Sequence, residues 1–146
     1  MRRSDGPHRR SLWYAPTVTP EGHFLALGRI AAASPGLRLL LLFGSRAQGR
    51  AHDRSDWDFG YLADAGFDSE PLHRALVVEL RSEEVDLVDL ATASGLLRYR
   101  AAAQARVIFD RSDEFRRFWL EAVGFWCDTE PVLRRGYDRV LERLGA

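Results

Sequence analysis

Hydrophobic residues recur along the chain with two different spacings, and their order predicts alternating helices and strands. Two segments, 21–33 and 69–81, have apolar residues three or four positions apart and end near turn residues, as helices do. A third helix is expected from Ser94, its N-cap, to about residue 105. Short apolar or alternating segments predict four strands, at 37–43, 56–62, 85–90 and 106–109.

The same spacings predict which side chains face a core. In the second helix the expected inward residues are Leu72, Ala75, Leu76, Val78 and Leu80. In the second strand, alternation should place one set of side chains on each face of the sheet. The two sets are Asp56, Asp58 and Gly60 on one face, and Trp57, Phe59 and Tyr61 on the other.

The C-terminal part of the sequence predicts two further helices. The first has apolar residues at helical spacing, namely Phe115, Phe118, Trp119, Ala122, Val123 and Trp126. A break is expected at 129–131, and a last amphipathic helix should follow over 132–144. We expect the first helix to pack on the sheet, and the last helix is the better candidate for contact with a partner protein.

Composition narrows the class of protein. The 146 residues suit one α/β domain, a small mixed sheet flanked by helices, and the net charge of +0 gives no reason to expect membrane or direct nucleic-acid binding. All 21 basic residues are arginines, which excludes a lysine nucleophile and leaves arginine as the fixed cation for phosphate. The single cysteine, Cys127, favours a reducing compartment, so a cytoplasmic protein is expected.

A glycine-rich turn directly after the first strand is the first candidate binding motif. Gly44 allows the backbone to leave the strand, and Gly49 permits close approach of a ligand. Backbone N–H groups at Ser45 and its neighbours are expected to bind phosphate at the start of a short helical turn. The Ser45 hydroxyl and the Arg46 guanidinium are further candidate donors.

Two carboxylates form the second motif. Ten residues lie between Ser45 and Asp56, and Asp58 follows one residue later, so both carboxylates should point to one face of a strand. Carboxylate oxygens suit Mg²⁺, and two such ions stabilise the attacking and leaving oxygens of a nucleotidyl transfer. Without metal, mutual repulsion should raise the pKa of at least one of the two aspartates.

A third carboxylate should come from the next strand, to complete the metal site and help deprotonate the attacking hydroxyl. Asp86 and Asp89 are the candidates, and because they are three residues apart only one can join the pair. Asp86 is favoured because it interrupts an apolar strand interior. An edge strand with both aspartates in water is the alternative.

These motifs resemble those of the nucleotidyltransferase superfamily that includes DNA polymerase beta. Within it the chain is most similar to the minimal nucleotidyltransferases of the MntA-type antitoxins. The resemblance rests on 42–49, 55–59 and 85–90, which match in order and spacing, and it covers about 37–110.

The resemblance implies ATP and two Mg²⁺ as cofactors, with Gly44 and Ser45 on the triphosphate and Asp56, Asp58 and Asp86 on the metals as the catalytic carboxylates. It also implies a partner, a HEPN-domain ribonuclease toxin of the HepT type. Antitoxins of this family silence the toxin by transferring AMP to a tyrosine near its active site.

The resulting domain organisation is a flexible arm (1–20), a minimal nucleotidyltransferase domain (21–110) and C-terminal helices (111–146) that pack on the domain or a partner. Two alternative functions stay open. One is a non-catalytic antitoxin that neutralises the toxin by binding, and the other is a nucleotidyltransferase for a small molecule.

Overall fold

A computed structural model describes residues 20–49 and 55–143, in which helices and strands alternate as the sequence predicts. The elements are α1 (Pro20–Ala32), β1 (Leu37–Phe43), β2 (Trp57–Ala63), α2 (Glu70–Leu80), β3 (Val85–Asp89), α3 (Gly95–Gln104), β4 (Arg106–Asp110) and α4 (Glu114–Arg143). The expected flexible arm, apart from Pro20, lies outside the described residues.

The strands form one mixed sheet in the order β3-β2-β1-β4. β1 pairs antiparallel with β2 and with β4, whereas β2 and β3 are parallel. Every residue of β1 except Arg38 is buried, because helices cover the sheet on both faces. The nearly continuous apolar run of this strand is the pattern expected for such a position.

Each face of the sheet has its own hydrophobic core. One core lies under α1 and α2, and its buried residues are Leu27, Ala31, Leu37, Leu40, Leu42, Phe59, Leu72, Leu76 and Val85. The other lies under α3 and α4, and its buried residues are Leu39, Leu41, Phe43, Leu62, Leu90, Ala101, Ala102, Phe118 and Ala122. The architecture is therefore a three-layer α/β arrangement with the sheet in the middle.

β2 alternates as predicted. Phe59 is fully buried in the core under α1 and α2, with Trp57 and Tyr61 packed against the same core. Leu62 belongs to the core under α3 and α4, so Asp58, which lies four residues earlier, points to that face.

The predicted inward face of α2 is wrong at one position. Leu72 and Leu76 are buried, but Val78 is 76% exposed and Val77 packs against the core instead. Val78 lies two positions after Leu76, which is about 200° around the helix, so it points away from the sheet.

The predicted break near Pro131 is also wrong, because α4 is one continuous helix of 30 residues. Proline removes one backbone hydrogen bond and costs about 3 kcal/mol in a helix interior, but its fixed φ is compatible with the helix. An i,i+4 ion pair between Glu130 and Arg134 spans the proline, and Arg135 Nε donates to the Pro131 carbonyl at 3.2 Å. The helical turns on either side therefore stay joined.

The apolar stripe of the first half of α4 packs on the domain, as predicted. Phe118 and Ala122 are buried in the core, and Trp126 stacks on Tyr99 of α3 with ring centroids 5.1 Å apart. Trp119 departs from the prediction, because 42% of it is exposed. None of the described helices is long and apolar enough to cross a membrane.

Gly60 of β2 packs tightly against the side chain of Leu90. A Cβ at Gly60 would lie 2.8 Å from a Leu90 methyl carbon, and Leu90 is fully buried. We expect Gly60→Ala to lower the free energy of unfolding by roughly 1–3 kcal/mol through overpacking. Chemical denaturation measures this change.

Gly124→Ala is the matched control, because a Cβ at this helical glycine would meet nothing within 4 Å. It should raise the free energy of unfolding by up to about 1 kcal/mol through helix propensity. Equal effects of the two substitutions would contradict the close contact under Leu90.

Candidate active site

The candidate site begins where β1 ends. Gly44 follows Phe43 with a φ of +74°, which takes the chain out of the strand, and Gly49 ends the turn with a φ of +69°. Within the turn, the Gln48 N–H donates to the Ser45 carbonyl at 3.2 Å. The predicted helical turn from Arg46 is absent from the described part of this segment, which is a hydrogen-bonded turn. A phosphate site here would therefore rest on turn N–H groups without a helix dipole.

Gly44 has a second reason to be glycine. Phe43 pairs with Asp58 across the antiparallel β1–β2 ladder, so the turn begins directly beside this aspartate. A Cβ at Gly44 would lie 2.5 Å from Asp58 Oδ2. The glycine thus leaves space that the carboxylate occupies, and it joins the two sequence motifs physically.

The parallel β2–β3 ladder brings the second and third carboxylates together. Asp58 and Asp86 are direct partners in the register, so their side chains project from the same face of the sheet on adjacent strands. Asp56 immediately precedes β2 and is exposed.

Asp89 lies elsewhere. It is the register partner of Tyr61, which packs on the α1–α2 side, and its carboxylate accepts a hydrogen bond from the Ala91 N–H at 2.9 Å. Asp86 itself is exposed, so the buried strand interior that favoured it in the sequence is not what the structure contains. Register alone puts Asp86 beside Asp58.

Asp58 has a raised pKa. Burial is the largest cause, followed by the negative charges of Asp86 and Asp56, while the positive charge of Arg100 acts in the opposite direction. The expectation that at least one aspartate of the pair has a raised pKa is confirmed. Mutual repulsion also indicates that the three carboxylates are close enough to interact.

The donor set fits a divalent cation. Carboxylate oxygens are hard ligands of the kind that Mg²⁺ prefers, and a cation would relieve the repulsion that raises the Asp58 pKa. Among residues 20–49 and 55–143, no three acidic, histidine or cysteine side chains are close enough together to hold a metal ion between them. The cluster is therefore defined by strand register and by charge rather than by a finished coordination shell.

Arg46 is held against β2. Its Nε donates to the Ser55 carbonyl at 2.8 Å, and its guanidinium lies 4.1 Å from the centroid of the Trp57 ring. These contacts tie the glycine turn to the segment that carries Asp56. Two neighbouring arginines, Arg50 and Arg54, lie outside the described residues.

Arg100 is the residue near the carboxylates that the sequence motifs do not include. It lies on α3, more than 40 positions after Asp56, whereas the arginines of the sequence motifs lie beside the glycine turn. The signal that identifies it is topological. α3 follows β3 and packs on the Asp58 face of the sheet, so its side chains border the site.

An apolar cavity of about 530 Å³ lies apart from this site. It is lined by the end of α1 and the loop after it, and by the loop before α2 and the first turns of α2, including Ile30, Phe67 and Leu72. Leu72 belongs to the core on the opposite face of the sheet from Asp58. The cavity therefore does not take part in the carboxylate cluster.

The chain is similar to known proteins over most of its length. Residues 27–114 match the model of the family described as "Polymerase beta, Nucleotidyltransferase". The protein adenylyltransferase MntA of Aphanizomenon flos-aquae is 31% identical over 103 residues, 62% of this chain and 69% of that protein. The protein adenylyltransferase MntA of Shewanella oneidensis is 33% identical over 115 residues, 77% of this chain and 82% of that protein. A crystal structure of a toxin–antitoxin with AMP-PNP aligns with a TM-score of 0.66 at 29% identity, covering 84% of this chain and 98% of that one.

The raised Asp58 pKa predicts how stability depends on pH. A carboxyl with a raised pKa in the folded state favours folding most when it is protonated, below its unfolded pKa near 3.8. That contribution is lost as the pH rises through the folded pKa. In EDTA at neutral pH, Asp58→Asn should therefore melt at a higher temperature than the unmodified protein, and the difference should shrink as the pH falls towards about 4.

Adding Mg²⁺ completes this test. It should raise the melting temperature of the unmodified protein and have little effect on Asp58→Asn, because binding to the folded state stabilises it. Asp89→Asn is the control and should keep the response to Mg²⁺, since Asp89 lies on the other face. An Asp58→Asn variant that is less stable than the unmodified protein in EDTA would contradict the repulsion.

Proposed function

Because this chain belongs to the polymerase beta-type nucleotidyltransferase family, we propose that it is a protein adenylyltransferase antitoxin. Its substrate is ATP, and its acceptor is a tyrosine of a HEPN-domain toxin of the HepT type. The observation that carries the proposal is the pairing of Asp58 with Asp86 beside Gly44, which joins a carboxylate cluster to a turn of phosphate-binding type. The two curated relatives are named for transfer of AMP to protein.

The proposed reaction is one displacement at phosphorus. The tyrosine oxygen attacks the α-phosphorus of ATP and forms a new O–P bond, while the bond from that phosphorus to the bridging oxygen of pyrophosphate breaks. Pyrophosphate leaves with this electron pair. The tyrosine proton passes to the Asp86 carboxylate, whose exposure leaves it accessible to a side chain on another protein.

Asp56, Asp58 and Asp86 would hold two Mg²⁺. When bound, the ions would neutralise charge on the attacking, non-bridging and leaving oxygens. Asp58 must be ionised to serve as a ligand, and its raised pKa reflects how much burial, and then the charges of Asp86 and Asp56, oppose that state. Gly44 has no side chain, and the space this leaves is occupied by the Asp58 carboxylate.

The turn would bind the triphosphate. Gly44 and Gly49 supply the two positive φ angles that shape it, and Ser45 would contribute its N–H and hydroxyl. Arg46 would act mainly by fixing the turn against Trp57 and the Ser55 carbonyl, with any phosphate contact made from that position.

Neutralisation by binding alone is the second candidate function. α4 carries exposed apolar side chains of the kind found in protein interfaces, Trp119 at 42%, Leu120 at 56% and Phe125 at 53% exposure. An antitoxin that covers the toxin with this helix would need no chemistry at Asp58.

Labelling with radioactive ATP separates the two functions. With Mg²⁺ and the proposed HEPN toxin partner, the unmodified protein should label the toxin with AMP. Asp56→Asn combined with Asp58→Asn should lower that labelling by at least 10³-fold, in line with loss of electrostatic stabilisation of the transition state. Asp89→Asn should label normally, because Asp89 is on the other face of the sheet.

Toxin binding, measured by size-exclusion chromatography, should be unchanged in the double variant. If the double variant still protects cells from the toxin, binding alone is the function. If AMP were found on a toxin residue other than tyrosine, the proposed acceptor would be wrong. If the unmodified protein did not label the toxin at all, the proposed adenylyl transfer would be contradicted.

A further inference from the structure

We propose that the edge of α3 formed by Arg100 and Gln104 is part of the nucleotide site, with Arg100 on the β- and γ-phosphates and Gln104 on the nucleoside. This inference deepens the proposed function and rests on it. It adds two binding residues that lie outside the glycine turn and the carboxylate motifs.

The position of α3 supports this assignment. Ala101 and Ala102 are buried with Phe43 in the core on the Asp58 face of the sheet. Short side chains at a contact let a helix approach closely, and α3 packs on β1, the strand that ends at the site. Phe43 is the register partner of Asp58 and immediately precedes Gly44.

The orientation of α3 follows from its contacts with α4. Arg98 pairs with Glu121 of α4 at 3.3 Å, and Arg100 lies two positions later, about 200° around the helix. Arg100 therefore points away from α4. α4 covers β1 and β4, and the sheet order puts β2 and β3 on the opposite side of β1. Arg100 thus faces the strands that carry Asp58 and Asp86.

Charge supports the same position. The Arg100 guanidinium lies near enough to Asp58 for the two opposite charges to attract each other. Within the described part of the chain, Arg100 is exposed and forms no hydrogen bond or ion pair with another residue. Arg46, by contrast, is already held by the Ser55 carbonyl and the Trp57 ring. A triphosphate entering beside three carboxylates needs a cation, and arginine is the chain's only type of fixed cation.

Gln104 lies one turn after Arg100, on the same edge of the helix. Its Oε1 is buried and has no hydrogen-bond partner among the described residues. Buried acceptors are nearly always paired, so this oxygen indicates a missing donor. A ribose hydroxyl or the adenine amino group would supply one.

Topology puts Gln104 at the correct end of the sheet. β4 begins two residues later at Arg106, which pairs with Leu42, and the next residue of β1 pairs with Asp58. The last turn of α3 is therefore level with the carboxylate cluster. Arg100 and Gln104 would line one side of the nucleotide, and the glycine turn would lie at its phosphate end.

A nucleotide series tests the assignment. Affinities for ATP, ADP and AMP are measured by calorimetry with Mg²⁺ for the unmodified protein, Arg100→Gln, Gln104→Leu and Arg74→Gln. Arg100→Gln should weaken ATP binding roughly 10- to 100-fold and leave AMP binding within about 2-fold, as expected for loss of charge-assisted hydrogen bonds to the outer phosphates. Gln104→Leu should weaken ATP and AMP by the same factor, about 3- to 10-fold.

Arg74→Gln is the matched control, because Arg74 is an exposed arginine on α2, across the sheet from Asp58. It should change none of the affinities, and thermal melts of all variants should confirm that they fold. The ribose and adenine sources are separated with 2′-deoxy-ATP and ITP. If the donor is the ribose 2′-hydroxyl, the unmodified protein should bind 2′-deoxy-ATP more weakly than ATP, and if it is the adenine amino group, it should bind ITP more weakly than ATP. Gln104→Leu should remove that difference in affinity.

Two results would overturn the inference. If Arg100→Gln matches Arg74→Gln for every nucleotide, Arg100 is only a surface charge; if it weakens ATP and AMP equally, it does not contact the outer phosphates. Failure of the proposed function looks different, because the unmodified protein would then bind no ATP and label no toxin.

Discussion

Parallel pairing of β2 with β3 sets Asp58 and Asp86 opposite each other on neighbouring strands, whose backbones lie about 4.8 Å apart, and most of the site depends on that constraint. Asp58 and Asp86 cannot separate without breaking the ladder, so their repulsion persists in the folded protein and contributes to the raised pKa of Asp58. A rigid sheet that holds like charges together is less stable than one without them. A cation bound between these carboxylates would relieve that repulsion.

The two cores make this constraint possible. β1 is buried on both faces, which holds β2 in place and fixes where the chain must turn at Gly44. Phe59 anchors one face of β2 and Leu62 the other, so Asp58 has a defined direction at the edge of the packed region. Packing of ordinary apolar residues thus positions the polar ones, and the site needs few contacts of its own.

Local spacing predicted most of this arrangement. Alternation along β2 correctly separated Asp58 from Trp57 and Phe59, because a period of two is a property of the strand itself. The identity of the third carboxylate was harder to predict. Asp86 was favoured for a burial that the structure does not contain, and strand register, a non-local property, is what puts it beside Asp58.

The sequence pattern predicts two features of the helices wrongly, the outward side chain in α2 and the proline in α4. The apolar pattern of α2 predicts an inward Val78, although its angle around the helix carries it outward. Pro131 predicts a helix break, although α4 continues through it. A proline lowers helix stability locally, but flanking turns and tertiary contacts decide the outcome. Arg100 could not be found from motifs, because its relation to Asp58 exists only after α3 packs across the sheet.

The close approach of Gly44 to Asp58 has an evolutionary consequence. A side chain at position 44 becomes sterically admissible only when the one at position 58 is shortened, and shortening it removes a carboxylate. Substitution of Gly44 in the turn therefore depends on prior substitution of Asp58 in the strand. A lineage that abandons this chemistry would lose the aspartate first, and only then could the glycine be replaced, apart from the preference that its positive φ still imposes.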